Sequence, residues 1–185
     1  MIQLNNKIDS TEKQNYKIIE RLNGVATNEN YSKNQHLLEH GQRCHKIWYL
    51  KSGMVRRYYI HEGKEITLWL YTEDEIFTEF QSFSRHMPSR EYIQACEDAE
   101  VVSISRSDYL SLRQNPEMWL FCILLIENVF LDIDQHLRSL QTKDAKGKYE
   151  YLLDKTPEII KRAKLGHIAS MLGISQETLS RIRRG

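Results

Sequence analysis

"HIASMLGISQETLSRIRR" (residues 167–184) is the stretch that decides how the rest of the chain is read. With Gly173 placed at a turn, Leu165, Ile168, Ala169 and Leu172 face inward on the helix before it. Ile174, Leu179 and Ile182 face inward on the turn and the helix after it. Two helices that cross steeply need a small residue where their backbones approach, and Ala169 supplies it. The turn needs a left-handed residue, which glycine adopts at little cost. Ser175 stands where an N-cap belongs, its hydroxyl free for the exposed amides of the second helix. The pattern predicts a helix-turn-helix; an αα-hairpin from a helical core is the bland alternative.

In a helix-turn-helix the second helix enters the DNA major groove, and its N-terminal half meets base edges. The positions left outward are Ser175, Gln176, Glu177, Thr178, Ser180, Arg181, Arg183 and Arg184. Glutamine can pair with adenine, glutamate can accept from cytosine N4, and arginine can grip guanine O6 and N7. Glu177 and Arg181 are four apart, so an ion pair between them would also orient the arginine. Arg183 and Arg184 suit phosphate contacts.

Charge distribution points the same way. The formal charge of the whole chain is only +1, but residues 155–185 hold seven basic residues against two acidic ones. A basic end on an otherwise acidic protein suggests a polyanion partner. Hydrophobic content of 41% and only 3 prolines and 8 glycines fit a packed chain, not a disordered one. Cys44, Cys96 and Cys122 are widely spaced with no C-x-x-C pair. They read as reduced thiols of a cytoplasmic protein, not a disulfide framework or a metal site. The N-terminus has no apolar stretch of a signal peptide. The longest apolar run, "MWLFCILLI" (118–126), is shorter than the ~20 residues a bilayer span takes.

Residues 10–22 suggest a short amphipathic helix, with Ser10 as cap and Tyr16, Ile19 and Leu22 at helical spacing, ended by Gly24 and "TNENYSKN" (27–34). From His36 to Ser105 the period becomes that of strands. "HKIWYLKSGMVRRYYI" (45–60) reads as a hairpin around "KSG", and "YYIHEGKEITLWLY" (58–71) as another around "EGK". "REYIQACEDAEVVSIS" (90–105) supplies two more strands. After Ser107 the pattern is helical: "SDYLSLRQ" (107–114), then a helix capped by Asn115 and started by Pro116. That helix carries two heptad series, Ile123, Phe130, Leu137 and Trp119, Ile126, Ile133, Leu140. They form an a/d seam that predicts self-association through residues 116–140, beside a core role for its all-apolar start. "TKDAKGK" (142–148) is a polar break, and Pro157 in "YEYLLDKTPEIIKR" (149–162) kinks a helix or starts a new one.

Taken together, these segments resemble the Crp/Fnr family of bacterial transcription regulators from about His36 to Arg184. "HLLEHGQRCHKIWYLKSGMVRRYYIHEGKEITLWL" (36–70) is similar to the opening strands of that family's cyclic-nucleotide-binding-type β-roll, and "EDAEVVSISRSDYLSL" (97–112) to its closing strand and following helix. The long helix resembles its dimerisation helix. In the DNA-reading motif, an S-x-E-T-x-x-R pattern falls on Ser175, Glu177, Thr178 and Arg181. The resemblance implies a homodimer that binds a two-fold operator and contacts RNA polymerase.

The ligand region departs from the family pattern. Cyclic-nucleotide-binding members carry Gly-Glu and then Arg-Ser-Ala around the cyclic phosphate. Here "IFTEFQSFSRHMPSREYIQA" (76–95) offers Thr78 and Glu79 for the first pair and Ser89, Arg90 and Glu91 for the second, with Arg85 a further candidate arginine. Glu91 would repel a phosphate, so cyclic AMP is not the expected effector. The effector stays unassigned. Seven histidines invite a metal reading, but the spacings of His36 with His40 and of Cys44 with His45 make poor chelates. No cofactor is expected, and no triad, P-loop or paired-acid motif supports an enzyme.

The expectation is therefore an α+β protein in three parts. A β-roll sensor of double-stranded β-helix or jelly-roll type takes 1–114, a dimerisation helix 115–142 and a helix-turn-helix domain 143–185. The alternative is a ligand-binding or protein-interaction β-roll whose helical C-terminus does not read DNA.

Overall fold

The computed structural model describes residues 21–184. The helix expected over 10–22 lies outside them, apart from a helical turn at 21–23 whose Leu22 is buried.

Eight strands form two four-stranded antiparallel sheets: β1 (Thr27–Tyr31), β2 (His36–Leu38), β3 (Lys46–Ser52), β4 (Val55–His61), β5 (Lys64–Tyr71), β6 (Ile76–Phe77), β7 (Tyr92–Ala95) and β8 (Ala99–Ser105). One sheet has the order β1-β8-β3-β6, the other β2-β7-β4-β5. Strand alternation then assigns the faces. Trp48, Leu50, Val55, Phe77, Ile93 and Val101 meet between the sheets. Their neighbours Tyr49 and Val102 point outward into a second cluster, with Leu22, Met118 and Phe121.

Two sequence expectations change here. "KSG" is not a hairpin turn, because β3 and β4 belong to opposite sheets. Gly53, at φ +97°, carries the chain from one sheet to the other. A Cβ there would lie 2.5 Å from the Asp98 carbonyl oxygen, so only glycine fits. "TNENY" is β1, paired residue for residue with β8 from Thr27–Ser103 to Tyr31–Ala99. A segment of such low strand propensity is a strand because its partner is one. The "EGK" hairpin is as read. Glu62 and Gly63 both take positive φ, 49° and 76°, the conformation of a two-residue type I′ turn.

Apart from a short helix in the ligand region, which the strand-like pattern there does not announce, the helices follow the sequence pattern closely. They are α1 (Phe80–Arg85), α2 (Arg106–Leu112), α3 (Pro116–Thr142), α4 (Ala145–Lys155), α5 (Pro157–Arg162), α6 (Leu165–Leu172) and α7 (Gln176–Ile182). Asn115 caps α3, its side chain accepting from the amides of Glu117 and Met118. The polar break narrows to two residues, because Asp144 caps α4 and the helix starts at Ala145. Pro157 starts a new helix; it does not kink an old one. The four C-terminal helices enclose a third cluster of Leu152, Ile159, Ile160, Ile168, Met171, Leu172 and Leu179. Met54 and Leu70 complete it from the outer face of the second sheet. No helix among the described residues is long and apolar enough to cross a membrane.

Candidate functional site

The α6–α7 pair is built as the opening motif requires. Gly173 takes the left-handed conformation (φ 63°, ψ 37°) and ends α6. The Ile174 amide then donates back to the Ala169 carbonyl at 3.0 Å, so the helix end is satisfied without outside partners. The Ser175 hydroxyl accepts from the Thr178 amide at 3.1 Å and caps α7. Ile168, Ala169, Leu172 and Leu179 are buried, while Leu165, Ile174 and Ile182 are half-buried at the margin. Gly166, at the start of α6, is a further small residue that sequence reading missed. A Cβ there would lie 2.8 Å from the Gln176 side-chain Nε2, so the Gln176 side chain rests over this glycine and would have to swing aside for any larger residue.

The rest of the protein fixes which side of this pair is free. α6 lies on β5, where the Ser170 hydroxyl accepts from the Thr67 amide at 2.9 Å. Arg162 forks onto Glu73 through two 2.8 Å bonds and also reaches Glu97. Lys161 pairs with Glu158 at 2.7 Å. Two of the seven basic residues of the C-terminal segment are therefore neutralised internally. His167 sits in the same contact, and burial, with Arg56 and Lys164 nearby, pushes its pKa down to about 4.

The outward face of α7 holds the predicted DNA-binding set. Ser175, Gln176, Glu177, Arg181, Arg183 and Arg184 are exposed, and Thr178 and Ser180 are half-buried. Among the described residues no ion pair joins Glu177 to Arg181. Arg181 instead reaches the Thr178 hydroxyl at 3.4 Å. Glu177 turns to the helix start, where its own backbone amide and the Ser175 hydroxyl hold its carboxyl below the usual range. The uncompensated amides at a helix N-terminus offer a carboxylate a closer partner than an exposed arginine one turn on, whose charge water screens.

The ligand-region residues have separate places. Glu79 caps α1, its carboxylate accepting from the Gln81 and Ser82 amides at 3.0 and 2.8 Å. The Thr78 hydroxyl donates to the Lys46 carbonyl at 2.8 Å. Ser89 is buried, and its hydroxyl accepts from the Glu91 amide and donates to the Glu91 carbonyl, both at 3.0 Å. Arg85 and Arg90 are exposed. The arginine that does reach the space between the sheets is Arg57, which no motif marks. Its Nε lies 3.1 Å from a Glu91 carboxylate oxygen. Burial opposes its charge, and Tyr71, Glu91 and Glu79 outweigh that to keep it protonated. His36 is held by the Tyr58 hydroxyl at 3.0 Å and by ring contacts with Tyr58 and Tyr92, a packing role.

Residues 28–115 match the family of cyclic nucleotide-binding domains. No curated protein sequence matches the chain. Among solved structures the chain is similar to FixK2 from Bradyrhizobium japonicum, at 19% identity and TM-score 0.71, over 86% of this chain and 83% of that one. It is similar to CLP, the c-di-GMP-responsive global regulator of Xanthomonas campestris, at 18% identity and TM-score 0.70, over 91% and 90% of the two chains. The catabolite activator protein of Thermus thermophilus matches at 22% identity and TM-score 0.55, over 95% and 83%. The two sheets thus match the cyclic nucleotide-binding domain family, and the chain as a whole shares its fold with regulators of the Crp/Fnr type.

Proposed function

We propose that the chain is a DNA-binding transcription regulator of the Crp/Fnr type. In this reading it is a homodimer whose two α7 helices occupy successive major grooves of a two-fold operator. The observation that carries the proposal is the division of labour between α6 and α7. α6 spends its polar and apolar groups on β5, and α7 with the two residues after it presents Gln176, Arg181, Arg183 and Arg184 to solvent. A seven-residue helix is ~10 Å long, which fits a major groove ~12 Å wide.

The dimer half of the reading rests on α3. Ile126, Phe130, Ile133 and Leu137 are 49%, 66%, 45% and 50% exposed, a stripe at heptad spacing with no part of the described chain over it. Such a stripe on a helix of 27 residues is what a two-stranded seam buries. The division into a sensor (1–114), a dimer helix (115–142) and a DNA-reading part (143–185) belongs to the same proposal. So do a contact with RNA polymerase and independence from cyclic AMP.

Selection of bound sequences from random DNA tests it. The expected product is a two-fold symmetric sequence whose half-site centres lie about one helical turn, ~34 Å, apart. Recovery of no sequence at low salt would make the C-terminal helices a structural cap on the second sheet.

A further inference from the structure

Inside the sheet domain, Arg57 and Glu91 face one another with side chains only 20% and 24% exposed. Three features aim them. Strand alternation puts Arg57 on the same inner face as Val55, two residues earlier on β4. The Ser89 hydroxyl grips both the amide and the carbonyl of Glu91 and so sets the direction of its side chain. The loop that carries both residues is pinned at Gly41, whose amide donates to the Ser89 carbonyl at 2.8 Å, and at Gln42, whose carbonyl accepts from the Ser89 amide at 2.8 Å.

The pair is close but not closed. Although the charges are 3.1 Å apart, neither Arg57 Nε nor that oxygen of Glu91 has a hydrogen-bond partner. The guanidinium has one long bond, 3.4 Å, to the Thr78 carbonyl. The other nearby carboxylate, Glu79, is committed to the Gln81 and Ser82 amides. A guanidinium is always charged and offers a fork suited to two oxygens of one anion. Here the fork is met off-axis by a single carboxylate oxygen of the same chain.

We infer that Arg57 is the anion-binding residue of the sheet domain, and that Glu91 is its built-in occupant, closing the domain to phosphate esters. Glu91 excludes them by two effects. It neutralises the cation, and its own charge repels an incoming phosphate. Being tethered, it competes at an effective concentration that a free ligand does not reach. Removing the carboxylate opens an anion site whose fork can then be filled bidentately. The assignment deepens the reading of a domain that works without cyclic AMP, and it is independent of DNA binding.

The test is calorimetry and thermal melting of the full chain with cyclic AMP, cyclic GMP and inorganic phosphate, one at a time. Glu91→Gln keeps the shape and removes the charge. It is expected to bind at least one of the three probes about tenfold or more tightly than the unaltered protein does, with a rise in melting temperature. Gain with a cyclic nucleotide alone means the base is recognised too; gain with inorganic phosphate as well means the site reads the oxyanion. The double variant Arg57→Met with Glu91→Gln is expected to lose the gained binding. Should Glu91→Gln be unfolded in anion-free buffer, restoration of its melting transition by a probe supports the assignment. A variant that no probe binds or refolds overturns it. Micromolar binding of cyclic AMP to the unaltered protein overturns the cyclic-AMP-independent reading itself, whatever the variant does.

Discussion

Arginine is used in opposite ways at the two ends of this molecule. In and around the sheets, Arg56, Arg57 and Arg162 each face a carboxylate of the same chain, Glu65, Glu91 and Glu73 respectively. On α7 and just past its end, Arg181, Arg183 and Arg184 have no carboxylate partner among the described ion pairs, although Glu177 is within helical reach of Arg181. A cation removed from water must be neutralised where it stands. One left in water can keep its charge for a partner that arrives later. Charge counted along the sequence therefore overstates the basic surface: of the seven basic residues of 155–185, Lys161 and Arg162 are paired within the chain, and Lys155, Lys164, Arg181, Arg183 and Arg184 are left for a polyanion to meet.

The largest expected effect comes from the seam that would bring two α7 helices together. Replacing Ile133 and Leu137 by lysine should give monomers by sedimentation. It should also weaken operator binding by about a thousandfold, the usual order of what a second linked contact adds. Since both side chains are about half exposed, the monomer's own melting should hardly change. A monomeric native protein at micromolar concentration would break this prediction.

A smaller effect belongs to an inward-facing arginine. Arg162→Ala leaves Glu73 and Glu97 facing each other without their cation. The cost should be ~1–2 kcal/mol of stability in denaturant titration, the upper end for a solvent-screened pair because the fork is bidentate and shared. Binding to random DNA should not change. If it fell in proportion to charge, the distinction between inward and outward arginines would be void.

His167 sharpens the same comparison through pH. Its pKa is lower folded than unfolded, so the unfolded chain binds the proton more readily. Stability should therefore fall as pH drops from the ordinary histidine range of ~6.5 toward about 4, and be unaffected above it. Arg56, Lys164, Glu65 and Cys96 face this ring. His167→Gln should flatten the slope in that window; an unchanged slope would assign it to other groups. Smallest of all, Arg184→Ala should weaken every DNA sequence alike and reduce the salt slope by about one phosphate contact.

How much of this was legible in the sequence depended on whether the signal was local. The caps at Asn115 and Ser175, the left-handed Gly173 and the helical period of α3 are set by residues a few positions apart, and they read correctly. β1 did not, because only its pairing with β8 makes "TNENY" a strand. "KSG" misled because the same glycine serves a hairpin or a crossing between sheets, and the Asp98 carbonyl that decides it is 45 residues away. In the candidate site, the α7 face followed from spacing. Arg57 was hidden, since its partner Glu91 lies on another strand's approach, and alternation along β4 does not by itself tell that a charged residue shares the inner face with Val55. The Glu177–Arg181 pair failed for a different reason: two local partners competed for Glu177, and the helix start won.

Reading of DNA by α7 through Arg181 is tested by the affinity of the native protein and of Arg181→Ala for the selected site and for random DNA, each across a salt series. The variant should bind the selected site roughly tenfold to a hundredfold more weakly per half-site, the worth of one bidentate base contact at ~1–3 kcal/mol. Preference at one base pair should relax, with little change on random DNA and an unaltered melting temperature. Equal loss on both DNAs would reduce Arg181 to a phosphate contact. A native protein that binds neither DNA at low salt would contradict the claim outright.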